Sequence, residues 1–437
     1  PPGFSFEVTV PGSGQIFVKA ADKAGNVRIT DSLRSVVLEQ DAPTLTSPVC
    51  AGADQYSNSH TVTLTAQDAA AEGTAPYGYS GLQKVYYSLT KEGESAPAAG
   101  FEQVEAFASQ RPALMDDIPA LRTKDLQIEV RGGALSGSYT MTVWALDWCG
   151  NTSAQQTIAL NFDTVAPALA VQITEGEGYG EADYHNKGFD VTFTVTDDRT
   201  FEAADFTPVV EAQPSGANIT FQAALAGDGK SCVYTAQVAD SAPEGEYRFS
   251  ISGTDKAGNA LAEKYEADAS VNAGQNAVSA VGGSLVSRTK ILDTTAPQAV
   301  ISYAAPAAEH IYGITAYHAQ PIPVSVEFTD DQSLDGNKLN YGYGAGTLTA
   351  DDALIADAAY PQELLHPTAQ PGATQAQGTV TIDADGAYRL TISGTDKAGN
   401  PVVVTEKQDT QFVAQDVSTQ DGAYESGNNL VLDTQAP

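Results

Sequence analysis

The chain runs to 437 residues, too long for one hydrophobic core and suited to three or four domains. Its 55 Asp and Glu outnumber 22 Lys and Arg, a formal charge of −33, which excludes nucleic acid and anionic membrane surfaces as partners because their phosphates would be repelled. No apolar run reaches the roughly 18 residues that a bilayer-spanning helix needs, and three cysteines are too few for a disulfide-built scaffold.

In chain order, Phe4–Val10, Gly14–Ala21 and Val27–Leu38 suit three strands, with Asp22-Lys23-Ala24-Gly25-Asn26 as a turn. Asp can bond the backbone ahead of it, and Gly and Asn accept positive φ. The Asp-x-x-Gly-Asn phrase returns at Asp147, Asp255 and Asp396, after the runs Tyr139–Ala145, Tyr247–Gly253 and Tyr388–Gly394. Their apolar alternation predicts strands with one buried face. Upstream of each lies another alternating run, His60–Ala66, Phe189–Val195 and Ile322–Phe328, ending in acid at Asp68, Asp197-Asp198 and Asp330-Asp331. Leu82–Leu89, Leu126–Val130, Ile219–Ala223, Cys232–Val238 and Thr379–Ile382 add further strands. Phe101–Leu121 and Asp351–Leu365 are the two places open to short helices, although neither keeps a 3.6-residue period.

A second phrase trails the first: Asp163-Thr164-Val165-Ala166-Pro167, Asp293-Thr294-Thr295-Ala296-Pro297 and Asp433-Thr434-Gln435-Ala436-Pro437, with a weaker copy at Glu39-Gln40-Asp41-Ala42-Pro43. Proline ends a strand there, since it cannot donate to a ladder. The expected units are a partial one at 1–43 and full ones at 44–167, 168–297 and 298–437. The last two carry about twenty extra residues between the phrases, around Ala269–Ser287 and Val413–Asn428, expected to form a surface hairpin or loop. Many short strands with turn signals predict an all-β chain of sandwiches. The opening Pro1-Pro2-Gly3 and the end inside a repeated phrase read as a piece of a longer protein.

A Tyr-led strand running into Asp-x-Ala-Gly-Asn, then Asp-Thr-Thr-Ala-Pro as a junction, resembles the bacterial immunoglobulin-like repeats of surface and secreted proteins. Tyr247 through Pro297 carry both phrases in full; the first copy departs, with Gly14 where Tyr stands elsewhere and Glu39 in place of Asp. The resemblance implies tandem immunoglobulin-like β-sandwiches in an elongated, monomeric rod. It also implies an extracellular place, on the bacterial cell surface, attached to the cell wall, or secreted.

The five histidines, His60, His185, His310, His318 and His366, show no nucleophile-elbow, metal-ligand or phosphate-loop pattern, so no enzyme is expected. They read as ordinary loop residues, the alternative being that His310 and His318, in a stretch with Tyr312 and Tyr317, form a surface patch. In an immunoglobulin-like sandwich the last turn, the loop after the second strand and the domain entry share one end. The junction into the second full unit should therefore gather Asp163, Asp197, Asp198, Asp255 and Asn259. The next should gather Asp293, Asp330, Asp331, Asp396 and Asn400, and the first a thinner set of Asp41, Asp68, Asp147 and Asn151. Crowded carboxylates repel unless neutralised, and Ca²⁺ takes six to eight oxygens in flexible geometry; two readings stand, Ca²⁺ at the junctions stiffening the rod, or a hairpin Asp that only bonds its own turn with the Asp before Thr-x-Ala-Pro capping a bend. A disulfide between Cys50 and Cys149 is geometrically plausible, two free buried thiols being the alternative, and Cys232 is expected to be unpaired. A Lys–Asn isopeptide link is not expected, because no Lys recurs at equivalent positions beside an Asn. The function expected is a stalk or adhesive segment that binds a host protein or glycan through the inserts or through Tyr77, Tyr79, Tyr341 and Tyr343. The alternative is the accessory region of a large secreted carbohydrate-active enzyme.

Overall fold

Alternating apolar and polar residues build the sheets of this computed structural model. It describes residues 7, 9, 14–15, 17–29, 35–36, 38–68, 80–98, 105–106, 122–179, 182–263, 278–281, 284–303, 310–312, 315–332, 334–350, 354–356, 363–370, 372–406, 423–425 and 429–435. In Ser59–Gln67 the side chains of His60, Val62, Leu64 and Ala66 are buried and those between them are not. Phe189–Thr196 and Ile322–Thr329 repeat the pattern, as a strand covering one core requires.

The chain divides into two compact units, Pro1–Pro167 with Thr254–Leu261, and Ala168–Gly253 with Ala262–Pro437. In the first, Thr44–Leu45, Ser59–Gln67 and Thr123–Arg131 make one antiparallel sheet. A second sheet orders Tyr56–Ser57, Gln156–Phe162, Gly137–Asp147, Leu82–Lys91 and Glu105–Ala106. Val62, Leu64, Ile128, Met141, Val143 and Phe162 are part of one shared core.

The second unit holds the arrangement twice. Gln222–Leu225, Ser231–Val238, Phe189–Thr196 and Ala168–Ile173 form one sheet, and Ala182–His185, Thr289–Leu292, Gly245–Gly253 and Phe206–Ala212 follow one another in the other. Thr368–Ala369, Gln375–Ile382, Ile322–Thr329 and Gln298–Tyr303 form the next pair's first sheet, and Thr315–His318, Asn429–Leu432, Gly386–Gly394 and Leu339–Leu348 its second. In every copy a short early strand runs parallel to the last one while all its other partners are antiparallel. Such a crossover between two sheets is the immunoglobulin-like Greek key. A tyrosine at the start of the penultimate long strand donates back to the chain, Tyr247 Oη to Pro243 O at 2.6 Å and Tyr388 Oη to Ala384 O at 2.8 Å; this tyrosine corner belongs to the same architecture. The chain is thus all-β, a tandem series of immunoglobulin-like sandwiches.

Several local expectations change. The Asp351–Leu365 region contains the strands Leu354–Ala356 and Glu363–Leu365 and no helix among its described residues. Phe101–Leu121 contributes the strand Glu105–Ala106, the rest lying outside the described residues, as do Tyr77 and Tyr79. Ile219–Ala223 starts its strand late, as Gln222–Leu225. The first long insert contains a hairpin, one of the two forms expected, Val278–Val281 with Ser284–Ser287, and the chain ahead of each insert also pairs with a sheet. Ala262–Glu263 pairs in parallel with Ala168–Leu169, and Val403–Glu406 with Gln298–Ile301. The extra residues let the chain cross to the other sheet, satisfy its edge strand, and return as the hairpin Val278–Val281/Ser284–Ser287 or the strand Ala423–Glu425. The remainder of Ala269–Ser287 and Val413–Asn428 lies outside the described residues.

Candidate metal centre

The Asp-x-x-Gly-Asn turn is built the same way four times. Its Asp accepts the Asn N–H on Oδ1 at 2.8–2.9 Å and the Asn side-chain N–H on Oδ2 at 2.7–2.8 Å. Gly25, Gly150, Gly258 and Gly399 take φ of 88°, 94°, 90° and 94°, where a Cβ would be strained. The Asn amide has a second donor, and it reaches the phrase that ends the preceding repeat. Asn400 Nδ2 donates to Asp293 O at 2.8 Å and Thr295 O at 3.2 Å; Asn259 Nδ2 to Asp163 O at 3.0 Å and Val165 O at 3.2 Å; Asn151 Nδ2 to Glu39 O at 3.3 Å. The turn is therefore a clasp on the chain that enters the sandwich.

In the second unit the clasp surrounds a knot of acids. One carboxylate oxygen each of Asp293, Asp330 and Asp396 lie within 4.8 Å of one another, and so do those of Glu244, Asp293 and Asp331. Asp293 belongs to both sets and is fully buried. Its Oδ2 has no hydrogen-bond partner. Burial, then the charges of Asp330, Asp396, Asp331 and Glu244, push this carboxyl up to about 8. Burial also raises Asp396, against the bonds of its own turn. Burial raises Glu244, but the bonds from Thr294, Asp331 and Thr295 outweigh it and hold it down, while burial and Glu244 raise Asp331. Beside the knot, Lys397 Nζ stands 5.3 Å and 5.2 Å from the Tyr179 and Tyr184 ring centres, and Lys338 Nζ 3.5 Å from Glu177.

The first unit has a smaller knot, in which Glu39, Asp68 and Asp147 place oxygens within 4.8 Å. Ser80 N–H donates to Glu39 Oε2 and Gly81 N–H to Asp68 Oδ2, both at 2.5 Å. Glu39 Oε1 has no partner, and burial with Asp68 and Asp147 pushes Glu39 up to about 7, against the Ser80 bonds. Asp41, expected here, is exposed; Glu39 occupies the register that Asp163 and Asp293 hold in their phrases, so the weaker copy keeps its acid two residues earlier.

The structure brings Asp293, Asp330, Asp331, Asp396 and Asn400 together as expected from their spacing. Asp163, Asp255 and Asn259 meet in the first unit. Asp197 and Asp198 lie in the second, where Asp197 Oδ1 accepts Arg199 N–H at 2.7 Å and Asp198 stands 3.7 Å from Arg199 Nε. Glu244 was missed. Its signal is positional: it precedes the Gly that starts a strand and accepts Thr294 N–H at 2.8 Å, as Asp385 accepts Thr434 N–H at 2.9 Å.

No disulfide joins Cys50, Cys149 or Cys232 among the described residues. Cys50 Sγ lies 3.6 Å from His60 Nδ1, at the start of Ser59–Gln67, whereas the Cys149 N–H bonds Ser80 Oγ, beside Asp68 past that strand's end. The strand's length, about 25 Å at ~3.3 Å per residue, separates them, against the ~7 Å limit of a disulfide. The histidines also differ from expectation: His60, His185 and His318 are buried, so His318 has no place in a surface patch with the 62% exposed Tyr312. Tyr341 packs in the core with Oη donating to Thr379 O at 3.3 Å, and Tyr343 packs against that core.

No family model and no curated protein matches the chain. Among solved structures it is similar to a titin I-band fragment, I67–I69, at 9% identity and TM-score 0.30, over 84% of this chain and 100% of that one. It is also similar to a chain of a 1.5-MDa bacterial ice-binding adhesin, at 13% identity and TM-score 0.23, over 90% and 100%, and to the D00–D0 domain of intimin, at 12% and 0.21, over 57% and 98%.

Proposed function

We propose that this chain is a non-enzymatic, structural segment of a bacterial cell-surface or secreted protein, a stalk or adhesive segment in which Asn clasps, and Ca²⁺ held in the acid knots, fasten the last turn of a sandwich to the chain that enters it. The observation that carries the reading is Asp293, a fully buried carboxyl with an unpartnered oxygen among Asp330, Asp331, Asp396 and Glu244. A hard divalent cation is what an all-oxygen, high-charge and partly solvated set would take. Asp293, Asp330 and Asp396 would hold it in the second unit, and Glu39, Asp68 and Asp147 in the first. A bound cation would neutralise the repulsion that the shifted carboxyls record. A host protein or glycan is the proposed partner, at the inserts after each long-form turn.

The test is calorimetric titration of chelator-treated chain with Ca²⁺, paired with scattering of the same samples. Binding of Ca²⁺ with proton release, weakened at least tenfold by Asp293→Asn, is the expected outcome. Equal affinity in wild type and variant, or no binding together with an unchanged scattering profile, would rule the cation out. Glycan and host-protein arrays probed with the intact chain test the adhesive half of the reading.

A further inference from the structure

The sandwich running from Ala168 to Leu292 buries an amine and a carboxylate that neither clasp nor knot uses. Asp183 on Ala182–His185 and Lys290 on Thr289–Leu292 are register partners on neighbouring parallel strands, and both are 0% exposed. Strand alternation turns them inward beside His185 and Leu292. Lys290 Nζ is in direct contact with Asp183 Oδ2, and Arg288 Nη2 stands 3.4 Å from Oδ1. The fold does not need a charge pair at this level. At the same register in the next repeat stand Ala316 and Leu430, both buried and apolar. An ion pair in place of such a pair forfeits hydration that its mutual attraction only partly returns.

We propose that Lys290 and Asp183 condense into an intramolecular amide that welds the second sandwich's early strand Ala182–His185 to its last strand, Thr289–Leu292. Within the pair, one proton passes from the ammonium to the carboxylate. The amine lone pair then forms a bond to Asp183 Cγ, and the carboxyl hydroxyl leaves with a second amine proton as water, so that ammonium plus carboxylate become a neutral amide plus water. Three features favour the step. The reacting groups are held in contact, which removes the entropic cost of meeting. The product carries no charge, so the desolvation that burdens the ion pair is relieved. Arg288 is placed to hold the negative charge that develops on the second carboxyl oxygen. Burial also lowers the Lys290 ammonium's pKa, against Asp183, and burial keeps His185, down at about 4, neutral beside it. The partner is an Asp, and the pair occurs in one repeat only, which is why a search for recurring Lys with Asn does not find it. Across the amide, 107 positions separate the joined residues, so tension entering at Ala168 would pass from Asp183 to Lys290 and bypass them.

The full chain, purified folded and then denatured, should weigh about 18 Da less than its sequence, one water. Trypsin should release a branched peptide joining residues 132–187 to residues 289–338, because an acylated Lys290 is no longer cut. Lys290→Arg, which keeps the charge without a nucleophilic amine, should show neither. The wild-type chain decides the matter even if that variant folds poorly: full sequence mass with only linear peptides, or a deficit mapping elsewhere, would overturn the proposal.

Discussion

Asn400 spends one amide nitrogen on four acceptors, Asp396 Oδ2, Asp293 O, Thr295 O and, at 3.5 Å, Asp293 Oδ1, in a position only 7% exposed. Truncation would strand a carbonyl and a carboxylate away from water, so Asn400→Ala should cost about 2–3 kcal/mol in the transition that contains this sandwich. Asn26 makes the same turn on the surface with no clasped carbonyl among the described residues, and Asn26→Ala should stay within about 0.5 kcal/mol. Urea unfolding of the two variants checks the pair; equal effects would mean that the turn, not the clasp, is what the Asn supplies. His185 gives a pH signature at the same scale. Burial holds it at about 4 from an ordinary 6.5, so the unfolded chain binds the proton more readily, and stability present above pH 6.5 is lost as pH falls through 4. The loss approaches about 3 kcal/mol at the acid end. His185→Leu should lack it, read as the difference between two denaturation series rather than from either alone.

At the scale of the element, the tyrosine corner separates packing from bonding. Tyr247 is fully buried and donates to Pro243 O; Tyr247→Phe keeps the ring and should cost about 1 kcal/mol, with an unchanged m-value in denaturant melts if only the bond is lost. Strands such as Phe189–Thr196 were legible because a period of two with one buried side leaves no other reading. The route of the inserts was not legible. Ala262–Glu263 and Val403–Glu406 join the opposite sheet through backbone pairing, which depends on an open edge and hardly on side-chain type. The acid sets of the third repeat could be anticipated from Asp293, Asp330 and Asp396, since topology alone brings strand ends together. Cys50 could not, because the chain from Thr44 to Val49, paired along Ser59–Gln67 at Thr44, Leu45 and Thr46 and again at the Val49↔Thr63 bridge, carries it away from the end where it enters.

For the whole molecule, a charge of −33 means that self-repulsion opposes folding everywhere, but the knots concentrate that opposition at defined points. Asp293 titrates at about 8 when folded against an ordinary 3.8, and Glu39 at about 7 against 4.5. The folded chain therefore holds protons that the unfolded chain has released, and stability falls as pH rises between those values. Above pH 6.5 His185 no longer contributes, so the window from 6.5 to 8 isolates the acids. With chelator present, stability should drop by about 2 kcal/mol across it at the Asp293 site, at roughly 1.4 kcal/mol per pH unit. Ca²⁺ should reverse the slope, because it competes with protons for the same oxygens and gains as they leave. NaCl at matched ionic strength supplies the control: screening should lift stability at both pH values alike. Melts that are flat from pH 6.5 to 8 in chelator, or that Ca²⁺ and NaCl shift equally, would reduce the knots to ordinary buried acids and leave the Asn clasps as the joint's only lock.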